Sequence, residues 1–358
     1  MARLNIFELL QASMETQTSR IPGAGSPLLL VSDPGIGKTA LIRAFCHSIK
    51  NHCEVIIMGR IPSVDVGGIF VPDLKKGELK HLITKRLLGQ IDAANGSKGI
   101  CILFDEIGNT TEEQQTAVQS LIEDRCLEGH KVPDNVWFAF ATNPTDSSCG
   151  SHEIVRSLLD RVIPVPIKAE DVKQSLFPQW VEWAMGEGDI HEHVIAYNLF
   201  KEGAAIHEFD AASEDMAQPS FRSWTKLSHI LKTDPPQGSL DILGAGCIGM
   251  GRWVDFNGWR KVADEMPLFG EILSGPGDAR LPTEPSGCYA VICNIAEGLR
   301  SRGSLTREIV EATIQYLRRL PETFAVYGFK LANRSHRDFS QKSDEFAKFC
   351  VDHKDLRI

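Results

Sequence analysis

The run Pro27-Leu28-Leu29-Leu30-Val31 leads directly into Ser32-Asp33-Pro34-Gly35-Ile36-Gly37-Lys38-Thr39, and no other stretch narrows the fold as far. An apolar run stops at a Gly-rich turn, and a helical pattern, KTALIRAFCHSIK (38–50), follows at once. That succession predicts a strand, a phosphate-binding loop and a helix. In such a loop successive backbone N–H groups form an anion nest, and the helix N-terminus behind it adds partial positive charge. Gly35 and Gly37 allow the tight curve, Lys38 is placed to reach β- and γ-phosphates, and the Thr39 hydroxyl is placed to hold Mg²⁺. The pattern asks for Gly where this chain has Ser32. Ser is small enough for a strand-to-loop turn, and the phosphate chemistry sits in the intact second half. Pro34, Gly35, Ile36, Gly37, Lys38, Thr39 and Ala40 are therefore the candidate nucleotide contacts.

A second signal lies about 66 residues on, where the apolar run of ICILFDE (100–106) ends in Asp105 and Glu106. Ligands gather at the carboxyl ends of strands in open α/β sheets. There Asp105 can hold Mg²⁺ through its water shell, and Glu106 can orient and deprotonate an attacking water.

The chain around these motifs alternates. Apolar runs at 27–32, 53–59, 99–106, 135–143 and 161–167 are interleaved with helical patterns at 38–50, 110–124 and 152–160. Five buried-type strands with intervening helices predict a parallel sheet covered on both faces. From residue 168 the pattern becomes helical, with candidates at 170–184, 191–202, 219–232 and 239–265. A Gly/Pro-rich segment, 274–287, reads as a linker, and helices follow near 288–301, 305–319, 321–333 and 337–353. The expected organisation is an α/β nucleotide-binding core (1–167), a helical lid (168–273) and a C-terminal helical region (274–358).

Bulk properties narrow the partners. The net charge is −9 over 358 residues, and no Lys/Arg run exceeds a pair, which disfavours nucleic acid as the main ligand. Nine cysteines are scattered without a CxxC, several inside apolar runs, as expected of reduced thiols in a cytoplasmic protein. The N-terminal stretch has no signal-peptide pattern, and no run approaches the ~18 apolar residues of a membrane span.

With these residues in view, the chain resembles an AAA+ ATPase of the MoxR-like, dynein-related branch, in order from residue 25 to about 230. SDPGIGKT is similar to the family's GxPGxGKT and ILFDE to its second nucleotide motif. FAFATNP resembles the sensor-1 strand, which makes Asn143 the residue between the Glu106 carboxylate and the γ-phosphate. SLLDRV resembles the family's LDRF segment, with Val162 in place of Phe, and makes Arg161 the candidate arginine finger. Arg156, five residues earlier, leaves that assignment open. PSFRSW (219–224) resembles sensor 2 and assigns Arg222, although Phe221 stands where many relatives have Pro. The resemblance implies an AAA+ P-loop NTPase core with an all-α lid and a C-terminal helical region. It further implies ATP and Mg²⁺ as cofactors and a homo-oligomeric ring, usually a hexamer. The catalytic set it implies is Glu106, Asn143, Arg161 and Arg222, with Thr39 and Asp105 at the metal. It also implies a chaperone-like role on a protein partner, commonly a von Willebrand factor A-type protein and sometimes a metallopeptidase-like one.

The segment 63–82, with Asp65, Gly67 and Gly68, resembles a pore-side hairpin insert that would present Val66, Ile69 and Phe70 to a substrate. The segment 128–138 resembles a second pore-side hairpin, with His130 and Lys131 at its tip. GAGCIGMG (244–251) contains GxGxxG, but no βαβ unit surrounds it, so close helix packing is the expectation there. His191 and His193 are two apart and are expected to face different ways on a helix. The competing functional reading is a nucleic-acid motor, or the motor subunit of a restriction-like defence system. A slow, nucleotide-dependent regulatory binder is a third.

Overall fold

The computed structural model describes residues 4–19, 26–60, 69–73, 78–82, 99–127, 130–144, 153–213, 215–336 and 338–342. Two compact units are present, Met1–Ser175 with Phe209–Ser213, and Leu176–Glu208 with Glu214–Ile358. The segment 274–287 runs inside the second unit, which holds residues of both the expected lid and the expected C-terminal region.

In the first unit the elements are α1 (Ile6–Thr18), β1 (Leu28–Val31), α2 (Lys38–Ser48), β2 (His52–Ile57), β3 (Ile69–Asp73), β4 (Glu78–Leu82) and β5 (Ile100–Asp105). Then come α3 (Glu112–Asp124), β6 (Cys126–Leu127), β7 (His130–Lys131), β8 (Val136–Thr142), α4 (Arg156–Leu159) and β9 (Ile163–Pro166). Five of the strands form one parallel sheet in the order β2-β5-β8-β1-β9, which matches the five apolar runs.

Register explains the two faces. Ile56, Phe104, Phe140 and Leu29 align across four strands, and the rings of Phe104 and Phe140 stack at 5.1 Å. This face packs with Val118 and Leu121 of α3 and Leu158 of α4. The alternate row carries Cys53, Cys101 and Trp137. There Phe45 of α2 meets Trp137 edge-on at 5.8 Å, and Phe7 of α1 meets Phe45 at 5.6 Å. Helices on both faces are what a sheet of near-continuous apolar strands requires.

Two local solutions shape the sheet. The pattern Ile163-Pro164-Val165-Pro166-Ile167 suits an edge strand, because Ile163 and Ile167 donate their N–H groups to Pro27 and Val31 of the β1 side. The prolines, which have no N–H to give, occupy the alternate positions that face away from β1. The sequence offered no signal for α1, and its Gln17 completes the sheet. The Gln17 side chain accepts from Phe138 N–H at 2.8 Å and donates to Phe138 C=O at 3.0 Å. β1 begins opposite Ala139, so one buried amide replaces the ladder partner that β1 does not reach.

After β9 the described residues form helices and connections alone. They begin with α5 (Ala169–Asp171) and a π turn (Val172–Leu176), and continue with α6 (Phe177–Met185), α7 (Glu192–Phe200), α8 (Phe221–Leu231), α9 (Gln237–Ile248) and α10 (Met250–Ala263). They continue with α11 (Phe269–Ser274), α12 (Pro285–Arg300), α13 (Arg307–Leu317), α14 (Glu322–Ser335) and α15 (Asp338–Gln341). The single helix expected over 239–265 is two, broken at Gly249, whose φ of 81° and ψ of 151° are not helical. A Cβ on Gly249 would lie 2.7 Å from the Ala217 carbonyl oxygen. Tyr197, Trp224 and Phe256 form the aromatic centre of this unit, with ring centroids 5.1–5.5 Å apart. Among the described residues no helix is long and apolar enough to cross a membrane.

Candidate functional site

β5, β8 and β1 are neighbours, and their carboxyl ends bring together three sequence-separated segments. The loop after β1 curves with Gly35 at φ 86° and Gly37 at φ 96°, left-handed values that a side chain disfavours. Gly37 is also the N-cap of α2, so the helix N-terminus opens directly onto the loop. Ser32 is not in the left-handed region, so its backbone does not require glycine.

Lys38 is 8 % exposed and folds back into this loop. Its Nζ donates to the Ser32 carbonyl at 2.8 Å, the Ser32 hydroxyl at 3.1 Å, the Asp33 carbonyl at 3.3 Å and Asn143 Oδ1 at 2.7 Å. The residue that departs from the loop pattern thus supplies two of the oxygens that hold the lysine. Thr39 Oγ1 donates to Asp105 Oδ2 at 2.5 Å, and Asp105 Oδ1 accepts from Glu106 N–H at 3.0 Å. Lys38, Thr39, Asp105 and Asn143, chosen from three separate motifs, therefore make direct contact.

Glu106 sits in the left-handed region, φ 59° and ψ 38°, at the start of the short turn Ile107–Asn109. A non-glycine residue there carries backbone strain that its surroundings must hold. One restraint is visible: Gly108 N–H donates to Thr142 Oγ1 at 3.2 Å, which ties the turn after β5 to the end of β8. Gly59 lies beside it: a Cβ there would be in ordinary contact with Glu106 Oε2 at 3.6 Å. Thr142 was not singled out from sequence, and its place in the apolar run FAFATNP disguises it as an ordinary strand residue.

Arg161 lies just beyond α4. Its Nε and Nη2 both reach Glu123 Oε2 at 2.8 Å, and Nη1 donates to the Ser157 carbonyl at 2.7 Å. Glu123, on α3, had no sequence signal as its partner. Arg156 is exposed at the start of α4, while Val162 is buried in the core. Arg222 is exposed in the first turn of α8, in the second unit.

Strands β3 and β4 pair as an antiparallel hairpin, Ile69 opposite Leu82; Asp65, Val66, Gly67 and Gly68 lie outside the described residues. β6 and β7 form the second hairpin, Leu127 opposite His130, with Lys131 exposed. At the GxGxxG, a Cβ on Gly244 would come within 2.2 Å of the Trp253 ring, so that glycine allows α9 and α10 to pack closely. The two histidines do not face apart as expected. His191 is the N-cap of α7, its Nδ1 accepts from His193 N–H at 3.1 Å, and the rings are 5.0 Å apart. Burial pushes both down to about 4, with the Arg260 charge adding for His191 and the His191 charge for His193.

No protein-family model matches the chain, and no curated protein matches it. Among solved structures it is similar to a candidate ATPase from Cytophaga hutchinsonii, at 12 % identity over 99 % of this chain and 90 % of that one, with a TM-score of 0.31. A similarity that low assigns no role to any residue. The strand order, the left-handed glycines after β1 and the Thr39–Asp105 contact stand on this chain's own geometry. By these features the first unit has the α/β fold of a P-loop NTPase core.

Proposed function

We propose that the chain is an ATP-hydrolysing AAA+ ring subunit of the MoxR-like kind that remodels or activates a protein partner. The observation that carries this reading is the joining of Lys38 to Asn143 and of Thr39 to Asp105 at adjacent strand ends. The residues fit ATP with Mg²⁺. The loop has the two left-handed glycines that a backbone cradle needs, and a hydroxyl and a carboxylate already share one locus at Thr39 and Asp105.

In this reading Pro34, Gly35, Ile36, Gly37, Lys38, Thr39 and Ala40 bind the phosphates. Thr39 and Asp105 hold the Mg²⁺, which supplies charge neutralisation on the phosphate oxygens. Lys38 stabilises negative charge that develops there. Glu106 takes the proton of the attacking water, and Asn143 orients that water. Arg161 acts on the ATP of a neighbouring subunit and Arg222 on that of its own, so hydrolysis requires a ring, for which six subunits is the expectation. A von Willebrand factor A-type protein is the partner class the resemblance favours.

Glu106→Gln tests the reading. The amide keeps the shape but cannot take a proton, so ATP binding should persist while turnover falls ~10²–10⁴-fold. Turnover within threefold of wild type would remove Glu106 as the base. Recovery of the ATP-bound variant with nucleic acid instead of protein would favour the motor reading.

A further inference from the structure

We propose that Cys46, Cys53 and Cys101 form a three-thiolate site for a thiophilic d¹⁰ cation, copper(I) being the ion its donor set suits. The cluster is separate from the phosphate site and no step of the proposed reaction uses it.

Its geometry comes from the sheet register. Cys53 of β2 stands directly opposite Cys101 of β5, on the face covered by α2. Cys46 is one of the four residues that α2 buries, with Lys38, Ile42 and Phe45. The three sulfurs lie within 4.8 Å of one another. A metal–sulfur bond of ~2.3 Å sets trigonal sulfurs about 4 Å apart, so side-chain adjustment within the pocket closes the site. Cys46 and Cys101 are buried at 1 % and 0 % exposure, whereas Cys53 is half-buried and gives access.

The donor set selects the ion. Among the described residues the group contains three sulfurs and no His, Asp or Glu. Structural zinc takes four ligands, whereas soft thiolates alone suit copper(I). The ligands to the ion are thiolates, so the cation displaces the thiol protons as it enters. The balance is three Cys thiols and Cu⁺ giving a dianionic copper tris-thiolate and three H⁺, with no change of oxidation state. The bound ion would fasten α2, which begins at Lys38 and Thr39, to β2 and to β5, which ends at Asp105.

The test titrates the reduced, metal-free full-length chain with copper(I) against a bicinchoninate competitor. One tight equivalent is expected, with thiolate-to-copper charge-transfer absorption, three sulfur scatterers by X-ray absorption, thiol protons released and a higher melting temperature. Cys53→Ser and Cys46→Ala should each lose that equivalent while keeping the wild-type circular dichroism. Cys247→Ser, at a thiol outside the group, should retain it. Tight binding unaffected by Cys53→Ser, complete loss of copper from wild type to the competitor, or a four-coordinate zinc site in place of copper would each overturn the proposal. So would a Cys46–Cys53 disulfide that forms readily in reduced protein given peroxide, if that protein binds no copper beforehand.

Discussion

Lys38 is held by four oxygens, so its ammonium is fixed at the mouth of the loop by the fold itself. Such preorganisation lets a cation act without reorganising when charge develops. Lys38→Ala should abolish ATP binding, measured by nucleotide titration; near-normal affinity would remove the phosphate-loop assignment. Ser32→Ala deletes one acceptor of the Lys38 ammonium and leaves others, so ATP affinity should fall by no more than about tenfold, given ~0.5–1.5 kcal/mol for a typical hydrogen bond. Asn143→Ala should lower turnover with little effect on affinity if, as proposed, its side chain positions the water while also accepting from Lys38. The paired histidines make a separate statement about pH. Both titrate near 4 folded against 6.5 unfolded, so between those values the unfolded chain binds more protons. Their effect is absent above pH 6.5 and removes stability as pH falls toward 4. Denaturant unfolding across that window should show a shallower pH slope in His193→Gln than in wild type.

At the level of elements, a strand is finished by whatever can complete its ladder. Gln17 does this for β8, and removing its amide strands the buried N–H and C=O of Phe138. Gln17→Ala should therefore cost about 1–3 kcal/mol, read as a lower denaturation midpoint at unchanged slope. A result below about 0.5 kcal/mol would mean that another group takes over the ladder. The close approach of α9 and α10 is just as specific. Gly244→Ala drives a methyl into the buried Trp253 ring and should destabilise by about 1–3 kcal/mol.

For the whole molecule the residue that tests the proposed ring is Arg161, whose side chain is 27 % exposed and pairs with a Glu123 side chain that is 52 % exposed. An ion pair that open to water is worth ~0–1 kcal/mol, so in the proposed ring a neighbouring subunit's phosphate would displace it at little cost. An arginine supplied in trans can contribute ~10³–10⁵ in rate. Arg161→Ala should bind ATP normally and hydrolyse very little. Mixed with Lys38→Ala subunits it should regain partial activity, since each variant lends what the other lacks. No recovery at concentrations that allow subunit exchange would place Arg161 in cis or make Arg156 the finger, and the same mixture made with Arg156→Ala separates those outcomes.

Short-range chemistry was legible in the chain itself. Five apolar runs became five parallel strands, and Gly35 and Gly37 took the left-handed backbone that their loop demands, because strand burial and glycine freedom are properties of a few adjacent residues. The break at Gly249 was locally encoded too, but continuous helical periodicity on both sides masked it. What only the tertiary structure decided is who meets whom across long separations. Gln17 on Phe138, Glu123 on Arg161 and the oxygens of Ser32 on Lys38 depend on how the sheet is ordered and how helices lie on it. The same holds for the three thiols: Cys46, Cys53 and Cys101 share no spacing motif, and only the pairing of β2 with β5 under α2 brings their sulfurs together.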